Sequence, residues 1–267
     1  MQIKTFLMLA APVVGLAAVL NVSAADAADD SKATAAPAAE AADAAPVKFS
    51  EAETLLWRTD QLKDIKKPTR LKYEFKKGGS LEKGFTDSVV LNIVKVKPDG
   101  MKAGNLQFFT GERHHYVPPY ENIDGNPVLS IYLEGDVYEM KRLTGGSWIY
   151  FQKRIKRALA ENAQVTPVTV TYDGREVQAK QVTISPYATD PRAQRTQKYH
   201  RFANKKYVFT VSDEIPGYLY EIQTTTPAEQ SAGANAAQPS ASAPKGPLLE
   251  ETLKLVEVDH KPTAQQD

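Results

Sequence analysis

The side chains best suited to chemistry are few. The chain of 267 residues has four histidines and no cysteine. His114 and His115 are adjacent, and neighbours on an extended chain point to opposite sides. They make poor joint ligands for one metal, and no carboxylate or further histidine stands near them at ligand spacing. His200 and His260 stand alone. Without cysteine there is no disulfide, thiolate nucleophile, iron–sulfur cluster or lipidated N-terminus. Gly145-Gly146-Ser147-Trp148 lacks the second glycine of a nucleophile elbow, and Ser147 reads as a helix cap. No glycine-rich phosphate loop occurs. We therefore expect no metal, no other cofactor, no nucleic-acid partner and no catalysis. Paired carboxylates are the one arrangement that a linear reading leaves open.

The densest constellation lies at 147–160. Trp148, Phe151, Ile155 and Leu159 fall within about 80° of arc on a helix, and Lys153, Arg154, Lys156 and Arg157 take the other side. Such a segment touches a membrane surface or covers an apolar cavity. The other reading is an ordinary core-packing helix with a wet basic face. Aromatic residues on the strands pose the same choice between lining a cavity and filling a core. The candidate apolar contacts are Phe75, Leu91, Phe108, Trp148, Phe151, Ile155, Phe209 and Tyr220. The candidate contacts to an anionic head group or surface are Lys153, Arg154, Lys156 and Arg157. Tyr116-Val117-Pro118-Pro119-Tyr120 reads as a rigid connection, with polyproline recognition as the alternative.

These residues must be positioned by strands and a helical insert. Ser50 and Glu53 form a capping box for a helix over 51–58. Leu71, Tyr73 and Phe75 alternate with charged residues, as in a half-buried strand. Strands over 85–97 and 101–110 complete a meander. Asn126-Pro127 opens a helix, Gly135 is expected to interrupt it, and Asp136 to cap a second. The 147–160 helix follows. Strands resume at 166–172 and 177–184 around the Asp173-Gly174 hairpin signal. Others are expected near 199–202, over 207–211 and 218–225, and last at 249–258. The sum is an α+β pattern: about eight or nine strands in a curved antiparallel sheet with helices lying on it.

The ends differ in kind. Lys4, the apolar run Thr5–Leu20 and small residues after it form a secretory signal over 1–27, cleaved after Ala24 or Ala27. An uncleaved anchor is the alternative. Residues 28–46 are Ala, Pro and acid, with no large apolar side chain to support order. The same holds for 227–246, which leaves a single domain over 47–258 and a flexible tail at 259–267. The net charge of +1 conceals an asymmetry. Residues 47–226 carry 28 Lys and Arg against 21 Asp and Glu, an excess of seven. A basic exported domain attracts anionic partners such as membrane surfaces and cell-wall polymers.

The meander Arg70–Thr110 and the tail segments Lys205–Thr226 and Leu248–Val258 carry a family likeness. Within the tail, Asp213-Glu214-Ile215-Pro216-Gly217 leads into the alternating strand Tyr218–Thr225. This layout resembles the LolA/LolB-like periplasmic proteins and related secreted proteins of unknown function. The resemblance implies an unclosed β-barrel whose concave face is covered by helices, a periplasmic location, and binding of a lipid or other apolar ligand in envelope lipid or lipoprotein handling. The alternative is an envelope module with a solid core, whose basic face docks on a protein or an anionic polymer.

Overall fold

Residue alternation on the first strand sets the architecture. Leu71, Tyr73 and Phe75 are buried, while Arg70, Lys72 and Glu74 between them are only partly covered. Period-two geometry sends the two sets to opposite faces. The structure, a computed structural model, describes residues 48–192, 196–228 and 246–260. The expected signal, the tether, the body of the 227–246 loop and the tail beyond 260 lie outside those residues. Nine antiparallel strands form one open sheet: β1 (Thr69–Gly78), β2 (Phe85–Val96), β3 (Lys102–Phe108), β4 (Tyr120–Ile123), β5 (Gln164–Tyr172), β6 (Arg175–Ile184), β7 (Lys206–Val211), β8 (Leu219–Thr226) and β9 (Leu249–Asp259). Four helices accompany it: α1 (Glu51–Glu53, continued by a π-helical turn to Arg58), α2 (Pro127–Thr144), α3 (Trp148–Glu161) and α4 (Gln197–His200). The chain thus has the expected α+β class, a sheet that does not close, with helices packed on its inward face.

The spatial order is β4-β3-β2-β1-β9-β8-β7-β6-β5. The last strand therefore lies mid-sheet, between the first strand and β8. Its register runs from Arg70↔Asp259 to Gly78↔Glu250 on one side and from Glu221↔Lys254 to Thr226↔Leu249 on the other. Tyr73, Leu255, Leu253 and Ile222 all become fully buried on the covered face. β9 also corrects the charge count. It carries Glu250, Glu251, Glu257 and Asp259 against Lys254. Four acids and one base reduce the folded excess from seven to four.

Local signals decide several boundaries. Ser50 accepts from the Glu53 amide at 3.0 Å, and the Ser50 amide donates to the Glu53 carboxylate at 2.9 Å. Asn126 accepts from the Val128 amide at 3.1 Å, with Pro127 at the first helical position. Asp173 and Gly174 turn the β5–β6 hairpin with φ of 49° and 73°. Left-handed φ at both central residues matches the twist of the flanking strands.

Four expectations are corrected. Gly135 does not interrupt a helix, and Asp136 caps nothing: α2 runs unbroken through both. An exposed helical glycine costs about 1 kcal/mol, and the ties that α2 makes to the sheet outweigh that. The segment near 199–202 is a helical turn, not a strand. The His200 amide donates to the Thr196 carbonyl at 3.0 Å, and Tyr199 stacks on Phe151. Ser147 precedes α3 but its hydroxyl makes no cap bond. Its carbonyl accepts from the Tyr150 amide at 3.0 Å instead. Finally, β4 was not expected, because Tyr120–Ile123 is too short and polar to show alternation. It follows Pro118-Pro119 and pairs as Gly104↔Tyr120 and Lys102↔Ile123.

Candidate functional site

Two regions gather polar chemistry: the seam between α2 and the sheet, and the outer side of α3. The apolar candidates frame the first. Phe75 and Phe108 join Phe85 and Phe109 in one aromatic cluster, with Phe75–Phe109 at 4.8 Å and Phe108–Phe109 at 4.5 Å. Phe109 holds a left-handed φ of 65°, a strain of about 1–3 kcal/mol. The loop around it is braced by Asp87. That carboxylate accepts from Thr110 Oγ1 and Arg113 Nε, both at 2.8 Å. Although Asp87 is drawn upward by burial, these bonds and the Arg113 charge hold it below the ordinary aspartate value. Leu91 and Phe209 are fully buried mid-sheet. Phe151 and Ile155 point from α3 into the same core. Trp148 is half-buried and stacks on Tyr138 at 5.9 Å. Tyr220 meets Tyr172 edge-on, and its hydroxyl donates to the Thr171 carbonyl at 2.8 Å.

The seam itself was not visible in the sequence. Tyr132, Asp136 and Glu139 recur on one face of α2 at helical spacing. They meet the sheet directly. The Tyr132 hydroxyl lies 3.1 Å from Glu251 Oε2 and 3.2 Å from Thr224 Oγ1. The Tyr207 hydroxyl donates to Asp136 Oδ2 at 2.6 Å and lies 3.2 Å from the Tyr187 hydroxyl. Lys205 pairs with Asp136, and Lys77 with Glu139. Lys77 also lies 3.2 Å from Glu251. At the head of the helix, Asn126 Nδ2 donates to the Tyr73 hydroxyl at 3.0 Å and to the Gly217 carbonyl at 2.9 Å.

Burial governs the protonation states there. It lifts the phenols of Tyr132, Tyr187 and Tyr207 well above their ordinary value, and the Asp136 carboxylate adds to this at all three. It also raises Glu251, against the opposing pull of Lys205. For Lys205, burial disfavours the charge, but Asp136 and Glu251 more than offset it and hold the ammonium above the ordinary lysine value. These are interior groups in mutual contact.

On α3 the basic candidates separate. Lys153 and Lys156 are exposed, alongside the exposed Ile149. Arg154 turns inward: its Nε donates to the Pro186 carbonyl at 2.9 Å. Arg157 Nε donates to Glu161 at 2.8 Å, and that carboxylate raises its guanidinium further. Arg154 and Arg157 line a cleft of about 590 Å³ between the C-terminal half of α3, the end of β6 and residues 185–191. Lys206 lies on its wall. Tyr220 contributes to a separate hollow of about 480 Å³ with Lys254 and His260. The histidines do not converge. His115 bridges back to Phe108, and His260 Nδ1 lies 3.4 Å from Thr69 Oγ1. Among the described residues no group of three or more potential ligands could hold a metal. Nor is any helix among them long and apolar enough to cross a membrane.

No protein-family model matches the chain, and no curated protein matches it. Among solved structures, it is similar to a LolA superfamily protein of Nitrosomonas europaea. The two are 7% identical, the match covers 79% of this chain and 94% of the other, and the TM-score is 0.21. At that level the likeness reaches no site residue.

Proposed function

We propose that the protein is a non-catalytic binding module of the cell envelope that works from the outer face of α3, and that its partner is an anionic lipid surface. The observation that carries this reading is the contact between α2 and the sheet. A carrier of apolar chains needs an empty layer between cover and sheet. Here that layer is bridged along α2 at hydrogen-bond distance by Tyr132, Asp136 and Asn126. Function then falls to the surface. Ile149, Lys153 and Lys156 share one exposed stripe, flanked by half-buried Trp148 and Tyr150. An apolar residue and aromatic rings beside lysines suit the boundary between head groups and acyl chains. Each surface lysine adds about 1 kcal/mol against anionic lipid. The signal-like segment over 1–27 supports export.

Co-sedimentation with phosphatidylglycerol-containing and pure phosphatidylcholine vesicles tests the reading. Binding is expected to the former alone and to fade at high ionic strength. The double variant K153E/K156E should weaken it by about tenfold or more. Equal recovery with both vesicle types, or with neither, would overturn the proposal. A stoichiometric lipid retained in native mass spectrometry of the purified protein would overturn the solid-interior part and restore carriage of an apolar ligand.

A further inference from the structure

We infer that the cleft between α3 and residues 185–191 is a binding site for a phosphorylated small amphiphile, its phosphate held by Arg154, Arg157 and Lys206. This site is distinct from the lipid-docking stripe, because Lys153 and Lys156 do not line it.

The argument begins with how the two arginines are held. Each commits its Nε to the protein, Arg154 to the Pro186 carbonyl and Arg157 to Glu161. A guanidinium fixed through Nε keeps its two terminal nitrogens as a fork, the geometry that suits paired phosphate oxygens. Arg154 makes one long terminal contact, 3.5 Å to Thr189 Oγ1. Lys206 is exposed and has no acidic partner among the described residues. It supplies a compact charge in the same cleft lining. Three cations face a single carboxylate, Glu161, which is already engaged by Arg157. The excess suits a dianion better than a lone carboxylate.

The rest of the wall describes the body of the ligand. Thr183, Ser185 and Thr189 offer hydroxyls that can donate to phosphate oxygens. Ala188 and Pro191, both exposed, offer apolar surface. A volume of about 590 Å³ falls in the range of small-molecule sites, about 300–1,000 Å³. It exceeds what an inorganic phosphate would fill. A polar head on a short organic body fits both the charge and the wall.

Isothermal titration of the whole mature protein with inorganic phosphate, glycerol 3-phosphate and dihexanoyl phosphatidic acid tests the site and separates its sources. Saturable binding of glycerol 3-phosphate is expected, with inorganic phosphate weaker. A further gain of about tenfold for the short-chain lipid assigns the natural ligand to a lipid head group. Equal affinity of the last two assigns it to a free phosphate compound. R157A and K206E should each lower affinity by about tenfold or more, since a charge-assisted bond is lost. Neither residue carries the fold, so they remain informative even where R154A disturbs the 186–189 segment. K153E/K156E should leave these affinities unchanged while weakening vesicle docking, so either proposal can fail without the other. No binding of any of the three ligands, or binding indifferent to R157A and K206E, would overturn the inference.

Discussion

The two long helices of the insert use charge in opposite ways. α2 turns Asp136 and Glu139 toward the sheet, where Asp136 meets Lys205 and Glu139 meets Lys77. α3 buries Phe151, Ile155 and Leu159 and turns Lys153 and Lys156 outward. An interior ion pair gains little over an apolar pair of the same shape, because desolvation opposes the attraction. It does fix which side chain sits against which. An outward charge contributes little to stability. α2 is therefore the helix that fixes the fold, and α3 the one that meets the surroundings.

The largest effect should come from breaking one interior pair. D136A leaves the Lys205 ammonium buried without its partner, and chemical denaturation should show a loss of about 3–5 kcal/mol. D136L/K205M, which removes both charges, should recover most of that loss. If it does not, α2 depends on charge itself rather than on avoiding an unpaired one. Next, G146A places a Cβ 2.3 Å from the Tyr199 hydroxyl and under 3 Å from the Phe151 ring. The turn between the two helices should then lose about 1–3 kcal/mol. Y132F removes a hydroxyl shared by Glu251 and Thr224 and should cost about 1–2 kcal/mol.

The seam also sets the alkaline limit. Tyr132, Tyr187, Tyr207 and Lys205 all hold their protons more tightly when folded than the ordinary values of 10.0 for tyrosine and 10.5 for lysine. The native state then binds more protons than the unfolded chain at high pH. Their contribution is complete below about pH 10 and falls as pH rises past it. Tyrosinate absorbance from these three rings should appear only together with loss of circular dichroism. Early, non-cooperative ionisation would show a seam open to water. The smallest effects lie at the helix starts. S50A should cost about 1 kcal/mol, because its hydroxyl caps a helix. S147A should stay within about 0.5 kcal/mol, because its hydroxyl does not.

What could be read in advance was local. The Ser50–Glu53 box, Asn126-Pro127 and Asp173-Gly174 each act within a few residues, and each lies where the sequence predicts. The alternation of Leu71, Tyr73 and Phe75 likewise revealed its face. The seam joins residues 77, 132, 136, 139, 205 and 251, and no spacing in a linear chain reveals such pairings. The same blindness explains Gly135: a helix formed by tertiary ties carries a weak signal of its own. Arg154 and Arg157 were candidates for their charge, but their separation from Lys153 and Lys156 depends on where residues 185–191 pass. Lys206 had no signal at all until β7 brought it to the cleft.

The position of β9 has a consequence for how the chain acquires its shape. β1 and β8 do not pair with each other; each pairs with β9 instead. The early meander and the later strands are joined within the sheet only through residues 249–259. Closing that gap brings residue 70 beside residue 259, a contact of very long sequence separation, which slows folding. A chain made from its N-terminus would thus remain pliable until its last strand had followed, and would set only then.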